Sequence, residues 1–250
     1  MSKTTYSAKS TALLFVDPYN DFLSEGGKVW PFIKYIAEEV RLLENLRTIS
    51  QTARAAGIQV VIVPHRRWRP GDYECWCHPS PSQRKVMQGH HFAHGEWGGE
   101  WHPDFAPQDG DIVVQEHWGS SGFANTDLDF QLKQHGITHV LLVGLLANTC
   151  IEATGRYAME LGYHVTLVKD ATAAFSKDGM HAAQVNGPTY AHAITTTSAR
   201  TGSVRGRRGP GWGSWLITNS VGADGSGAFA ILADRFSCRP SPCGFDVFAV

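Results

Sequence analysis

The chain has 250 residues, enough for one large α/β domain with or without an appendage. Its 22 basic and 23 acidic residues give a formal net charge of −1, which favours neither nucleic acid nor a membrane surface as a partner. Five cysteines without framework spacing argue against a secreted disulfide scaffold. No run is apolar enough to span a bilayer and the first ten residues hold no signal-peptide core, so a cytoplasmic location is the expectation.

A strand, a helix and a second strand are predicted within the first 64 residues. The apolar run TALLFV at 11–16 predicts a buried strand ending at Asp17. A carboxylate there lies where open α/β sheets place their sites, although a turn aspartate before proline is the alternative. Apolar residues then recur at helical spacing from 33 to 46, which predicts one crossover helix of about six turns ended by Gly57. The run IQVVIVP at 58–64 predicts the next strand.

Periodicity is lost between His65 and Pro107, a stretch with four tryptophans and six histidines. So long an irregular connection is usually a lid or a substrate-binding loop. Within it, Cys75, Cys77 and His78 resemble a metal motif, but their spacing fits no standard zinc pattern and no four-ligand set is completed. The sequence therefore predicts neither a metal nor another cofactor.

A further buried strand is predicted at 111–114, DIVV, and the titratable pair Glu116 and His117 follows its end. Asn125 or Thr126 is then expected to cap a short helix within 126–136.

The stretch 139–171 carries a cysteine at the start of a helix. The run at 140–143 predicts a buried parallel strand, and Cys150 follows after a short link. Helical spacing from 151 to 161 with Gly162 behind it predicts a helix whose N-terminus holds the sulfur. Free N–H groups and the helix dipole favour thiolate there, whereas the alternative is a small buried core residue.

Two further strands, at 163–168 and 193–197, flank a helical segment around 178–192 and bring the count to six. Strands that alternate with helices predict an α/β fold, a doubly wound, Rossmann-like six-stranded parallel sheet with helices on both faces. The expected domain spans residues 1–197. Residues 198–250 lack Lys, Glu, His and Met and are rich in Gly, Arg, Ser and Pro, with FAILA and FDVFAV as possible short strands. A disordered tail, an oligomerisation arm and an out-of-frame product remain open accounts of this tail.

Four blocks together carry a family resemblance. They are Asp17, EWGGEWHPDFAPQDGDIVV, SGFANTDLD and GLLANTCIEATGRYAMELGYHVTLVKDATAA. Over residues 8–197 the chain resembles the isochorismatase-like cysteine hydrolases, a family that includes nicotinamidases, N-carbamoylsarcosine amidase, ureidoacrylate amidohydrolases and streptothricin hydrolase. The resemblance implies a six-stranded parallel sheet, a small-molecule amide or lactam substrate, and a homodimer or homotetramer.

The same resemblance assigns roles to individual residues. Cys150 matches the nucleophile, and Asp17 matches the aspartate that takes its proton. A cis peptide is implied between Leu145 and Leu146, with the N–H groups of Leu146 and Cys150 forming the oxyanion hole.

The family's usual lysine is missing. Alignment from one side places His117 at its position and alignment from the other side places Glu116 there. A protonated His117, with Glu116 behind it, is the expected substitute for the lysine charge. A nicotinamidase proper is disfavoured, because Pro64, His65 and Arg66 stand where its metal ligands would lie.

The sequence thus predicts a hydrolase that cleaves a C–N bond through a thioester. Two alternatives are an isochorismate-type vinyl-ether hydrolase with Asp17 as general acid, and a catalytically inactive ligand-binding protein, which the missing lysine suggests. Large aromatic side chains are the candidates for the substrate pocket. They are Phe22, Trp30, Trp68, Trp76, Trp118 and Phe123.

Overall fold

The computed structural model describes residues 3–197, 216–221 and 227–232. The strands are β1 (Lys3–Ser7), β2 (Thr11–Val16), β3 (Gln59–Val63), β4 (Ile112–Val113), β5 (His139–Leu145), β6 (His164–Ala173), β7 (Ala193–Thr195), β8 (Leu216–Val221) and β9 (Gly227–Leu232). The α-helices are α1 (Asn20–Leu23), α2 (Trp30–Glu39), α3 (Leu42–Ala55), α4 (Pro81–Gly89), α5 (Leu128–Gln134), α6 (Glu152–Glu160) and α7 (Lys177–Asn186).

A six-stranded parallel sheet in the order β4-β3-β2-β5-β6-β7 is the centre of the fold. Alternate side chains of each strand enter two separate apolar cores, because successive residues of a strand point to opposite faces. Leu13 and Phe15 pack with residues of α2, α3 and α7, whereas Leu14 and Val16 pack with residues of α5 and α6. The predicted α/β architecture with helices on both faces is confirmed.

The strand order reverses next to β2. The chain proceeds from β2 to β3 and β4 on one side, and then returns to place β5 on the other side of β2. In such a sheet the crevice beyond the carboxyl ends of the strands at the reversal is the usual ligand site. Asp17 directly follows β2 at this point.

The single crossover helix predicted up to Gly57 is wrong, because the chain forms two helices. Arg41, between α2 and α3, adopts the left-handed conformation with φ 56°. The side-chain amide of Asn45 donates hydrogen bonds to the carbonyls of Val40, at 2.7 Å, and Asp170, at 2.8 Å. The Val40 carbonyl, at the break, thereby gains a hydrogen-bond partner. The apolar spacing of the sequence continues across the break.

Three local predictions also need correction. The irregular stretch 65–107 contains α4, which begins with a capping box between Ser80 and Gln83. The predicted buried strand at 111–114 is the short edge strand β4, where Val113 is 46% exposed. The N-cap of α5 is Asp127, although the Thr126 hydroxyl accepts a hydrogen bond from the Leu128 N–H.

Two segments of the predicted tail, β8 and β9, form a three-stranded antiparallel sheet with β1. Strand β9 contains most of the FAILA segment, whereas FDVFAV lies outside the described residues. Among the helices that the structure describes, none has the length and apolarity to cross a bilayer.

Gly144 allows β2 and β5 to approach each other beside Asp17. Its φ is +107°, and a Cβ built on it would lie 2.1 Å from the Val16 carbonyl oxygen. We expect Gly144→Ala to lower the free energy of unfolding by roughly 2–4 kcal/mol, because it adds a clash to backbone strain. Gly136→Ala is the matched control, since Gly136 also has positive φ but open space around its Cβ position. Equal losses in urea unfolding of the two variants would contradict the close approach.

Three histidine rings stack at the amino ends of the strands. Ring centroids are 4.9 Å apart for His139 and His164, and 4.7 Å apart for His164 and His192. Burial and the two neighbouring rings lower the pKa of His164 to about 4. Between about pH 6.5 and pH 4 the unfolded chain therefore binds a proton at this position that the folded chain does not, so stability falls as pH falls. We expect His164→Gln to reduce this fall in thermal unfolding experiments, whereas His181→Gln, on the exposed surface of α7, should not.

Candidate functional site

Asp17 and Cys150 lie beyond the carboxyl ends of two neighbouring strands. Asp17 follows β2 with φ 57°, and its N–H donates to the Val63 carbonyl at 3.1 Å. Cys150 lies in a π-helical turn, Ala147–Ile151, between β5 and α6. The peptide bond between Leu145 and Leu146 is cis, as the resemblance implies. Both side chains are buried, Asp17 fully and Cys150 to all but 8% of its surface.

His117 completes the cluster from the other side of β2. The chain beyond β4 continues parallel to the chain beyond β3, because the His117 N–H donates to the Pro64 carbonyl and the Arg66 N–H donates to the His117 carbonyl. The ring is thereby held at the end of β3, and its Nε2 lies 3.1 Å from Asp17 Oδ1. One ligand atom each of Asp17, His117 and Cys150 lies within 4.8 Å of the others.

The hydrogen bonds of His117 suit a doubly protonated ring. Nδ1 lies 2.8 Å from the Gly119 carbonyl oxygen, which can only accept, so Nδ1 carries a proton. Burial alone lowers the pKa of His117, but the charge and hydrogen bond of Asp17, with the Gly119 carbonyl, raise it above its ordinary value. In the doubly protonated ring Nε2 donates to the Asp17 carboxylate, and the raised pKa favours this imidazolium–carboxylate pair.

Cys150 is a thiol in this environment. Burial and the negative charge of Asp17 raise the pKa of its thiol, against opposing effects of the Thr149 hydroxyl and the Leu146 backbone. The helix N-terminus, which the sequence leads one to expect as the dominant influence, is outweighed because the sulfur is removed from water beside a carboxylate. The sulfur therefore needs a base, and Asp17 Oδ2 is buried without a hydrogen-bond partner among the described residues.

Glu116 does not face His117. Its carboxylate accepts hydrogen bonds from Arg66 Nη1, at 3.3 Å, and from Arg67 Nε, at 2.6 Å. Arg66 is also bound by Asp72 and lies over the Trp118 ring, 4.3 Å from its centroid. The pair of adjacent residues after β4 is thus divided, with His117 in the cluster and Glu116 in an ion-pair network beside it.

The six predicted pocket residues do not form one wall. Phe22 packs on Phe92 in the same core as Trp30, and Phe123 stacks on Tyr157 in the opposite core. Trp68 stacks on the imidazole of His90 at 3.8 Å. Trp76 and Trp118 pack against each other at 5.5 Å, and Trp118 is the candidate that directly follows a member of the cluster.

A row of rings that the sequence analysis missed leads away from His117. His65 contacts His117 at 5.1 Å and Phe92 at 5.3 Å, and Tyr19 lies between Phe92 and Trp101. Burial, and then the proximity of His117, lower the pKa of His65 to about 4, so this ring is neutral. Tyr19 donates its hydroxyl proton to the His65 carbonyl. The sequence offered one signal for this row of rings, because Tyr19 lies only two residues after Asp17.

A parallel α/β sheet with a carboxylate, an imidazole and a thiol at its switch point is typical of hydrolases with a cysteine nucleophile. The profile of the isochorismatase domain matches residues 11–200, and the chain belongs to the isochorismatase family. The predicted family is confirmed.

Ureidoacrylate amidohydrolase RutB of Caulobacter vibrioides is 30% identical over 215 residues, which cover 81% of this chain and 94% of that protein. A cysteine hydrolase from Pseudomonas syringae pv. phaseolicola has a similar structure, with TM-score 0.62, 26% identity and coverage of 79% of this chain and 95% of that one. N-carbamoylsarcosine amidase from Thermoplasma acidophilum is similar with TM-score 0.58 and 27% identity, covering 77% and 99% of the two chains. These names agree with the enzyme class that the sequence predicts.

Proposed function

We propose that this protein hydrolyses a carbon–nitrogen bond of a small amide or ureido compound through a thioester on Cys150. The observation that carries the proposal is the convergence of Asp17, His117 and Cys150 within 4.8 Å at the switch point of the sheet. The names of the similar amidohydrolases support the class of bond. A thiol, a carboxylate and a cation are sufficient for nucleophilic acyl transfer.

The reaction proceeds in two halves. Asp17 takes the thiol proton, and the thiolate of Cys150 attacks the substrate carbonyl carbon. The C–N bond then breaks, and the departing amine or ammonia takes the proton from Asp17. In the second half Asp17 deprotonates a water, which attacks the thioester and releases the acid, and the proton returns to the thiol.

The tetrahedral oxyanion is assigned to the N–H groups of Leu146 and Cys150. The assignment follows the family resemblance, and Leu146 directly precedes the π-helical turn that contains Cys150. Loss of one such donor typically costs about 3–4 kcal/mol of transition-state stabilisation.

His117 takes the part of the lysine that the family resemblance leads one to expect. Its imidazolium donates to Asp17 through Nε2 and offsets the carboxylate charge, and both of these side chains are fully buried. Glu116 has a different role in this proposal. It holds Arg66 and Arg67 against the chain after β4, and so positions the segment that carries His117.

By the family resemblance, a lactam remains one candidate for the substrate. A ureido acid is the first candidate, because of the name of the RutB relative. Arg67 supports this choice. Its Nε is bound to Glu116, its side chain is 26% exposed, and its terminal nitrogens have no hydrogen-bond partner among the described residues. These nitrogens are available for a substrate carboxylate.

The proposal is tested by ammonia release from a panel containing ureidoacrylate, N-carbamoylsarcosine, nicotinamide and a lactam, with intact-protein mass spectrometry to detect the acyl-enzyme. Turnover with a mass increase on Cys150 supports the thioester. Turnover of an isochorismate-type vinyl ether alone would favour the second enzyme candidate. Binding without turnover of any compound would favour a ligand-binding protein.

Three expectations beyond the chemistry belong to the same proposal. The protein is expected to act in the cytoplasm as a homodimer or homotetramer, with residues 1–197 as the hydrolase domain and 198–250 as a C-terminal tail. Sedimentation equilibrium of the full chain and of a chain ending at residue 197 tests the oligomeric state and the division into domain and tail. Equal oligomeric states would exclude the tail as an oligomerisation arm.

A further inference from the structure

The cluster of Asp17, His117 and Cys150 also has the composition of a metal site. Carboxylate oxygen, imidazole nitrogen and thiolate sulfur are all ligands of Zn²⁺. Within the part of the chain that the structure describes, it is the one group of three such side chains whose ligand atoms come this close. All three residues are buried, so a cation there would be enclosed by protein.

The distances suit tetrahedral coordination. His117 Nε2 and Asp17 Oδ1 are 3.1 Å apart, and two ligands at about 2.0 Å from a tetrahedral zinc ion are about 3.3 Å apart. A cation would thus replace the proton between these atoms with little movement. Sγ of Cys150 lies within 4.8 Å of both, and a thiolate on a tetrahedral zinc ion is about 3.5 Å from the other ligand atoms, so the sulfur has to approach by up to about 1.3 Å.

Two further features favour a ligand at this position. His117 Nδ1 donates to the Gly119 carbonyl, and a backbone acceptor behind the ring is the usual way in which a ligating histidine is oriented. Asp17 Oδ2 is buried without a hydrogen-bond partner among the described residues. A buried carboxylate oxygen without a partner is costly, and a cation bound through both carboxylate oxygens would give Oδ2 a partner as well as Oδ1.

We propose that Asp17, His117 and Cys150 form a reversible binding site for a thiophilic divalent cation such as Zn²⁺, and that the bound cation inhibits the enzyme. Coordination forms bonds to Sγ and Nε2 and releases their protons to solvent. The thiolate electron pair is then held by the metal instead of attacking a carbonyl. The site depends on histidine, because a protonated lysine at position 117 has no free electron pair and repels a cation. Inhibition rests on the proposed function, whereas binding does not.

The binding experiment uses Co²⁺ as an optical probe in the full chain with Cys75, Cys77, Cys238 and Cys243 replaced by serine. We expect one equivalent of Co²⁺ to produce a thiolate-to-cobalt charge-transfer absorption, which Zn²⁺ displaces. Cys150→Ser should remove the absorption, and His117→Lys should weaken Co²⁺ binding by at least about 100-fold. His78→Gln, at an exposed loop position, is the matched control and should leave the titration unchanged.

Inhibition is measured separately, with the substrate identified from the panel. Micromolar Zn²⁺ should abolish turnover of the four-serine protein, and EDTA should restore it. Absence of the absorption, or its persistence in Cys150→Ser, would overturn the site while leaving the hydrolase proposal standing. Faster turnover of the metal-loaded protein would overturn inhibition. If the Co²⁺ absorption appears but the metal-free protein turns over no substrate, the metal-site proposal stands and the hydrolase proposal is contradicted.

Discussion

Cys150→Ala is expected to reduce amide or ureido hydrolysis by roughly 10⁴-fold or more, the order that removal of a catalytic nucleophile produces. The remaining Asp17 can activate water, but no thioester forms. Because Cys150 is small and buried, alanine leaves a void of one atom and the fold should persist. Initial rates of ammonia release measure the loss, and circular dichroism with thermal unfolding measures the fold.

Cys75→Ala and Cys77→Ala are the controls, because both thiols are exposed. They should retain the wild-type rate. Retained hydrolysis in Cys150→Ala would exclude the thioester and direct attention to Asp17 as a general acid. Asp17→Asn should stop both the thioester reaction and vinyl-ether hydrolysis, so it serves as the inactive reference and Cys150→Ala remains the variant that separates the two routes.

The architecture was predictable because each central strand is an apolar run bounded by glycine, proline or a charged residue. The break between helices α2 and α3 was less visible in the sequence. Apolar spacing runs unchanged through Val40 and Leu43, so it does not reveal that Arg41 takes a left-handed conformation between two helices. DIVV reads as a buried strand, yet whether a strand lies at the centre or the edge depends on the pairing of the whole sheet.

The location of a site residue was predictable where the residue follows the end of a predicted strand. Asp17, His117 and Cys150 each follow a strand, and the carboxyl ends of parallel strands meet at one edge. The partners of Glu116 were not predictable, because Arg66 and Arg67 follow a different strand and lie about fifty positions earlier in the sequence. The raised pKa of Cys150 was equally hidden, since burial depends on what packs over the turn.

His117→Ala is expected to lower turnover by about 10²–10³-fold, and to slow alkylation of Cys150 by iodoacetamide at pH 7. Removal of the imidazolium leaves the Asp17 charge buried without its partner, a change that costs about 3–5 kcal/mol. Asp17 then either takes up a proton, and cannot act as base, or stays charged beside the sulfur and opposes thiolate formation. Both outcomes reduce the fraction of reactive thiolate. Alkylation is followed by mass spectrometry in the background that lacks the other four cysteines.

His117→Lys distinguishes loss of charge from loss of packing. Lysine can donate to Asp17 but cannot reproduce the Nδ1 bond to Gly119, so this variant should recover part of the alkylation rate that His117→Ala loses. Ala and Lys variants with equally slow alkylation and unchanged unfolding would show that the ring shape, not its charge, matters. Wild-type alkylation in His117→Ala would mean that Asp17 activates the thiol without a cation, so that the substitution of histidine for lysine has no role in the chemistry.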